Sequence, residues 1–443
     1  MTPRAAAYET LLRLEKEKQY SNIVVSNAIQ KYDFNKQDRT FYTQLVYGVI
    51  EKKLTLDYLV KQYTEKSPNR LDLSVLIILR LSLYQIFFLD KVPESAAVSE
   101  GVKLAARHAS RAKGYLNAIL RRACREAPKY PQEPDYPKSY VLSVRYSISE
   151  NIVKLLAEQY PDLLIDILEG FSQIPTMTLQ ILSTEKQPKE FIANYALNAK
   201  EISPLPFAVK MNEGISVTDM PFLQNGQAFV QDVASQIASI ALDPQPNDFV
   251  IDVCSCPGGK TFSCANLMRS RAQNEAFSGK ILSCDLHDSK LSLVQNGAKK
   301  LGFSFINTLC HDATNPLPDY RETADRIICD VPCSGLGILN KKPEIRYKDI
   351  REIHEIPHIQ YKILEASATY LKPSGTLLYS TCTLNRRENE DIVLRFLANH
   401  PEFTVSDFSI EGDDLTYHSS NGCLTLLPNT YHDGFFMAKL TKK

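Results

Sequence analysis

The sequence lacks a net charge, because 51 Lys and Arg residues balance 51 Asp and Glu residues. An overall attraction to polyanions is thereby excluded, and any nucleic-acid or membrane contact has to come from local clustering. Long apolar runs are also missing. The most apolar stretch, Leu73 to Leu89, is broken by Arg80 and Gln85, and it falls short of the ~20 apolar residues that span a bilayer. A buried helix is expected there, with no membrane partner. The opening segment MTPRAAAYETLLRLEKEKQY carries charges throughout and has no continuous apolar core of a secretory signal, so a cytoplasmic chain is expected. Cysteine is scarce in the first half, where only Cys124 precedes position 254, while nine cysteines lie from Cys254 onward. Thiol chemistry therefore belongs to the second half, and in a reducing compartment disulfides are not expected. The pairs Cys254/Cys256 and Cys329/Cys333 lack the two-residue spacing of zinc knuckles, and no second pair matches them, so no metal is expected.

What is present is a globular chain, 44% apolar and 23% charged, at a length that favours more than one domain. Residues 1–127 show helical periodicity, as in Ala7, Leu11, Leu12 and Leu14, then Phe41, Leu45, Val46 and Val49, and predict an all-helical domain. Pro128, Pro131, Pro134 and Pro137 crowd a polar stretch, which predicts a linker over 128–140. Residues 141–225 read as a small mixed α+β region, with helices over Ile152 to Tyr160 and Leu163 to Leu168 and a strand over Thr176 to Ile181. Residues 226–443 hold short apolar runs separated by helical segments: Phe249 to Val253, Lys280 to Cys284, Phe305 to Leu309, Arg326 to Cys329 and Thr376 to Tyr379. Continuous apolar strands alternating with helices predict a doubly wound α/β fold with a parallel sheet covered on both faces. Leu424 to Leu427 and Phe435 to Leu440 would add an antiparallel pair at its edge. No internal repeat occurs at solenoid periods.

The segment Val250-Ile-Asp-Val-Cys-Ser-Cys-Pro-Gly-Gly-Lys260 runs from a buried strand through a glycine turn into a helix near Thr261. Glycines there let the backbone approach a ligand at the carboxyl edge of the sheet, although the spacing is not that of the dinucleotide fingerprint and a plain strand-to-helix turn reads equally well. The next strands end in Asp285, His311-Asp312 and Cys329-Asp330. Four strands thus bring Asp252, Asp285, Asp312 and Asp330 to one edge, where a doubly wound fold binds nucleoside-type ligands. A helix N-cap explains any one of these aspartates, but not the repetition.

Two of the cysteines stand beyond consecutive strand ends, in Asp330-Val-Pro-Cys-Ser-Gly335 and Tyr379-Ser-Thr-Cys-Thr-Leu384. Cys284, Cys310 and Cys329 are expected to be packed in or near the core, as free cysteine commonly is. Cys333 and Cys382 instead face one crevice. Carbon 5 of cytosine is a poor nucleophile, and an enzyme that methylates it must first add a nucleophile at carbon 6, for which a thiolate is suited. A second thiol can assist release, and a carboxylate such as Asp330 can steady the electron shift.

In these motifs, essentially over its whole length, the chain resembles the bacterial ribosomal RNA cytosine-5 methyltransferases of the RsmB (Sun or Fmu) family, within the NOL/NOP/Sun group. The resemblance implies a class I S-adenosylmethionine-dependent methyltransferase fold with S-adenosyl-L-methionine as cofactor and 16S rRNA or a small-subunit precursor as partner. It implies cofactor contacts from Cys254, Ser255, Cys256, Pro257, Gly258, Gly259 and Lys260, and from Asp285, Asp312 and Asp330. It implies that Cys382 is the nucleophile and Cys333 assists proton loss or release, with Asp330 and Lys260 completing the catalytic set. A monomer is expected. The loop reads Cys-Ser-Cys-Pro-Gly-Gly-Lys where the family commonly has Cys-Ala-Ala-Pro-Gly-Gly-Lys, and Val331 replaces a usual Ala. Gln231-Asp-Val-Ala-Ser-Gln236 is similar to the family segment ahead of the first strand. Glu388-Asn-Glu390 also resembles a family signature, but Asn385 with Glu388 makes an N-x-x-E capping box, and a structural role is expected first. A tRNA substrate, or a non-enzymatic antitermination-type factor, is the alternative.

The helical region resembles the NusB antitermination fold, on Asp38-Arg-Thr-Phe41 through Leu45-Val-Tyr-Gly48. Between positions 103 and 125 lie Lys103, Arg107, Arg111, Lys113, Arg121, Arg122 and Arg125, with no Asp or Glu among them. Spacing by four puts Lys103, Arg107 and Arg111 on one helix face. Such a face ordinarily mixes signs, so an RNA-backbone contact is expected from these seven cations. The mixed region after the linker is expected to be a small RNA-recognition-like subdomain.

Overall fold

The computed structural model describes residues 1–17, 21–184, 187–212, 220–272, 277–410, 412 and 415–443. The chain forms two compact units: Met1–Glu158 with Leu339–Ile350, and Gln159–Ile338 with Arg351–Lys443.

The first unit is helical. Its centre is the helix Leu73–Phe88, apolar on nearly every side and therefore surrounded by the helices Pro3–Glu17, Lys36–Glu51, Lys53–Thr64, Glu94–His108 and Lys113–Arg125. Asp72 caps it by accepting from the amides of Ser74 and Val75. Arg80, buried in its middle, is neutralised by Asp57, which accepts from Nε at 2.7 Å and Nη2 at 2.8 Å, and by Glu15 at 2.9 Å from Nη1. The segment Leu339–Ile350, from within the α/β region of the sequence, packs with this unit. Its Arg346 is fully buried and donates to the carbonyls of Leu339 and Tyr146. The Tyr347 hydroxyl lies 2.6 Å from Ile50 O and 2.8 Å from Glu51 O, and accepts from the Lys53 amide.

The helix Glu94–His108 stops at Ala109, and a short 3-10 turn, Ser110–Ala112, precedes the helix Lys113–Arg125. Lys103 and Arg107 therefore share a helix but Arg111 does not, so the expected three-residue face is broken after Arg107.

In the second unit a small antiparallel sheet comes first, in the order β2-β3-β1-β4, from β1 (Thr178–Ile181), β2 (Ala199–Glu201), β3 (Ala208–Met211) and β4 (Ala228–Val230). Leu179, Ile181, Val209 and Met211 pack there against Phe191 and Phe222 from two short helices.

The large sheet contains β5 (Phe249–Asp252), β6 (Lys280–Asp285), β7 (Ile306–Cys310), β8 (Ala324–Asp330) and β9 (Leu371–Thr381), parallel in the spatial order β9-β8-β5-β6-β7. The C-terminal strands β10 (Phe403–Val405), β11 (Tyr417–Ser420), β12 (Cys423–Leu426) and β13 (Phe435–Lys442) extend it, with β13 antiparallel to β9. Neighbouring residues of one strand serve opposite faces. Val250, Ile328 and Leu378 join the core with helices Val233–Leu242 and Gly259–Ala272, while Ile251, Ile327 and Leu377 join the core with helices Ile356–Ala368 and Glu390–Asn399. Burial on both faces is why these strands read as unbroken apolar runs. The order reverses between β5 and β8, so their carboxyl ends form the topological switch point at which a doubly wound sheet binds ligands. Among the described residues no helix is long and apolar enough to cross a membrane.

Candidate active site

The switch point opens on the loop between β5 and the helix Gly259–Ala272. The Val253 amide donates to Ile328 O and the Ser255 amide to Cys284 O, which ties the loop to the ends of β8 and β6. Gly258 has φ +110°, a left-handed conformation that a side chain would strain. A Cβ placed on Gly259 would meet only Gln231 Nε2, at 3.7 Å, so the backbone there is open to a ligand. Gln231 itself donates to Gly259 O at 2.9 Å and holds the start of the helix.

Lys260, in the first turn, points back to β8, where Nζ donates to Asp330 Oδ2 at 2.7 Å. Burial lowers the Lys260 pKa, but the charge and hydrogen bond of Asp330 outweigh it and leave the ammonium above its ordinary value. Ser380 on β9 donates to the other oxygen, Oδ1, at 2.8 Å. Asp330 is thus fixed from both sides. Asp252, fully buried, accepts from Thr261 Oγ1 at 2.6 Å on Oδ2, while its Oδ1 has no hydrogen-bond partner among the described residues. Burial drives its carboxyl up to about 7, with only partial relief from Thr261.

Asp285 stands half-buried at the end of β6 and accepts from the His287 amide at 3.0 Å. Leu286, next to it, is 59% exposed. A large apolar side chain in the open at a ligand-binding edge is a candidate platform for a ring, and the sequence reading missed it; its position directly after a strand-end carboxylate was the available signal. Asp312 lies two residues past β7 and is occupied by its own turn, accepting from Asn315 Nδ2 and from the hydroxyl and amide of Thr314, and the Thr314 bonds, the hydroxyl's first, hold its carboxyl below the usual range.

Cys333 and Cys382 lie beyond the ends of β8 and β9, with their sulfurs 3.2 Å apart. The hydrogen bond to Cys382, followed by burial, pushes the Cys333 thiol well up. The loops that carry the two thiols meet backbone to backbone: the Gly337 amide donates to Cys382 O at 2.9 Å, and a Cβ on Gly337 would stand 2.8 Å from that same oxygen. Cys254, in the loop after β5, is pushed well up by burial, and Cys256 is pushed up to about 12 by burial and then by Asp285.

Two expectations are corrected here. Cys284 and Cys329 are in the core, but Cys310 is exposed, because it ends β7, the outer parallel strand, with β6 alongside on one edge, where its thiol meets Leu286 O at 3.5 Å. Glu388 does not return to the Asn385 amide, which instead donates to Thr383 Oγ1, so no capping box forms. The Glu388 carboxylate accepts from the Ser334 amide at 2.7 Å, Ser334 Oγ at 2.5 Å, Asn385 Nδ2 at 2.9 Å and Gln360 Nε2 at 3.2 Å. Ser334 comes from the Cys333 loop and Gln360 from the helix Ile356–Ala368, partners that local spacing could not reveal.

Of the seven cations expected to meet RNA, Lys103, Arg121 and Arg125 line a groove of about 700 Å³ between the helices Glu94–His108 and Lys113–Arg125, with Asn117 between them and Glu94 in the same wall. Lys103 pairs with Glu100 at 2.7 Å, and Arg122 with Glu126 at 2.9 Å and Glu65 at 3.2 Å. Carboxylates outside the 103–125 window thus neutralise part of the patch. Arg107, Arg111 and Lys113 are exposed. Among the described residues no group of three or more His, Cys, Asp or Glu is placed to hold a metal ion.

Known proteins carry the same arrangement of regions. The family model described as 16S rRNA methyltransferase RsmB/F matches residues 239–441, and the NusB family model matches residues 1–125. A probable ribosomal RNA small subunit methyltransferase B of Bacillus subtilis is 32% identical, covering 99% of this chain and 98% of its own length. A protein of the same description from Synechocystis is 33% identical over 100% of both chains. Among solved structures, that of PH0851 superposes with a TM-score of 0.81 at 23% identity, over 100% of this chain and 99% of its own, a likeness of fold.

Proposed function

Because the chain belongs to the RsmB/F family of 16S rRNA methyltransferases, we propose that it moves a methyl group from S-adenosylmethionine to carbon 5 of a cytosine in 16S rRNA, with Cys382 as the nucleophile. The observation that carries this reading is the thiol pair 3.2 Å apart beside the Lys260–Asp330–Ser380 cluster. The residues at the switch point fit the cofactor: an open backbone at Gly259, an unpartnered buried oxygen on Asp252, and Asp285 beside the exposed Leu286. When bound, S-adenosylmethionine supplies an electrophilic methyl group on a sulfonium.

The chain's own groups do the rest. The Cys382 thiolate adds to carbon 6 of cytosine, forming a C–S bond and moving an electron pair toward carbon 5, which then accepts the methyl group. Asp330, immobilised by Lys260 and Ser380, would hydrogen-bond the cytosine edge and steady charge that develops on the ring without reorganising. After methylation the proton on carbon 5 leaves to a base, the C–S electron pair returns to the sulfur of Cys382, and the carbon 5–carbon 6 double bond is restored. Cys333 assists this release. Its sulfur, 3.2 Å from that of Cys382, is near enough to pass a proton to the departing thiolate.

Lys103, Arg121 and Arg125 in the groove, with the exposed Arg107, Arg111 and Lys113, would hold the RNA backbone, and Arg122 would contribute less because two carboxylates already engage it. Incubation with labelled S-adenosylmethionine and unmodified small-subunit rRNA, followed by mapping of the product, tests the proposal. Label on carbon 5 of a single cytosine is the expected result; label on another base or atom, or only on tRNA, would overturn it.

A further inference from the structure

Glu388 and Asn389 are neighbours beside the two thiol loops, which Ser334 and Thr383 also join directly, Oγ to Oγ1 at 2.8 Å; Glu388 holds chiefly the Cys333 loop, with one further bond from Asn385 beyond Cys382, and Asn389 holds the Cys382 loop. Glu388 is fully buried and gathers four donors from three places: Ser334, next to Cys333; Gln360, which also donates to Pro332 O at 3.0 Å; and Asn385. The residues on both sides of Cys333 are thereby fixed, Ser334 directly and Pro332 through Gln360. Asn389, also fully buried, does the same for Cys382. Its Oδ1 accepts from Thr381 Oγ1 at 2.6 Å and its Nδ2 donates to Thr383 O at 2.9 Å, so it spans the nucleophile from one neighbour to the other.

We infer that Glu388 and Asn389 are positioning residues with separate duties: Glu388 sets the Cys333 loop for release of the RNA, and Asn389 sets the Cys382 loop for attack on it. The inference rests on the reading of Cys382 as nucleophile and Cys333 as the releasing thiol. A tie of purely structural purpose would be cheaper with an amide, because a carboxylate out of water is costly and the four hydrogen-bonding partners of Glu388 are neutral. Only a carboxylate can accept from all four at once; glutamine would turn its own N–H bonds toward at least one donor. The negative charge also helps to keep the Cys333 thiol protonated, behind the larger effects of Cys382 and burial. Glu388 is not positioned to be read locally, since Ser334 lies 54 positions before it.

The two duties separate in a covalent-adduct assay on the full chain, using single-turnover reactions with rRNA and S-adenosylmethionine resolved on a denaturing gel. Cys333→Ala and Cys382→Ala serve as references. Glu388→Gln is expected to form adduct at the parental rate and release it about tenfold or more slowly, so that adduct accumulates, with Glu388→Asp restoring part of the release. Asn389→Ala is expected to slow adduct formation by about tenfold or more without accumulation, since a shift of about 1 Å in a reacting group has effects of that size. Ser334→Ala, which removes the hydroxyl bonds to Glu388 and Thr383 but keeps the Ser334 amide on Glu388, and Thr381→Val, which removes the bond to Asn389, should reproduce the two patterns in weaker form, and they serve if a primary variant fails to fold. Equal slowing of both steps by both variants, or parental kinetics, would overturn the inference. Accumulation with Cys333→Ala but not with Glu388→Gln or Ser334→Ala would defeat it alone, whereas no accumulation with Cys333→Ala would defeat the underlying reading as well.

Discussion

Asp252 ends β5 with its carboxyl raised to about 7 by burial. An unfolded aspartate titrates near 4, so between about pH 4 and pH 7 the folded chain holds a proton that the unfolded chain has lost. Stability from this group is therefore present in full below about pH 4 and falls as the pH rises toward 7. Asp252→Asn keeps an acceptor for Thr261 and carries no charge. Its thermal midpoint, measured without cofactor, should gain on the parent progressively from pH 5 to pH 8, and a constant difference across that range would contradict the assignment. Lys260→Met is expected to lower kcat by about 100-fold, because Asp330 would lose the cation that fixes it, in the range known for preorganised polar groups; an unchanged kcat would contradict the role given to the pair. At this scale the sequence was informative about which side chains stand at strand ends, Asp312 excepted, since it lies two residues past β7 and is taken up by its own turn. Asp252, Asp285, Asp330, Cys333 and Cys382 follow from the alternation of strands and helices. Glu388 was hidden because N-x-x-E is also a local capping pattern, and only the fold brings Ser334 to it.

Elements differ in how far their chemistry reaches beyond their own residues. The parallel strands were legible because faces covered on both sides leave a run such as Phe249 to Ile251 apolar up to the strand-end Asp252. The end of the helix at His108 was not, since neither glycine nor proline stands between Arg107 and Lys113 and the C-cap is Ala109. Nor does any local pattern say that Leu339–Ile350 packs with the helical unit, because that choice depends on the carbonyls of Ile50, Glu51 and Tyr146. Tyr347→Phe removes the hydroxyl at the centre of that anchorage and leaves Lys53 N–H without its acceptor. A loss of about 2 kcal/mol in unfolding free energy is expected from one buried hydroxyl and the partners it strands. Chemical denaturation of the full chain checks it, and a change within about 0.5 kcal/mol, as for ordinary surface substitutions, would contradict the anchoring role.

The whole molecule carries equal numbers of positive and negative residues, so its attraction for RNA must be local. Lys103, Arg121 and Arg125 share one groove, and replacing all three with glutamine should weaken RNA binding and reduce the slope of log affinity against log salt by about 2, at roughly 0.7–0.9 for each phosphate that is no longer neutralised, with Lys103 counting for less because Glu100 pairs with it. An unchanged slope would remove the groove from the RNA path. Arg122→Gln should change the slope little, because Glu65 and Glu126 already engage that guanidinium. In the other unit two strand-end thiols stand 3.2 Å apart, and the proposed reaction uses only one of them for attack. The most direct measurement is a denaturing gel of Cys333→Ala and Cys382→Ala after incubation with rRNA and S-adenosylmethionine. A stable protein–RNA adduct with Cys333→Ala and none with Cys382→Ala is the expected result; an adduct with Cys382→Ala would contradict the assignment and exchange the two roles.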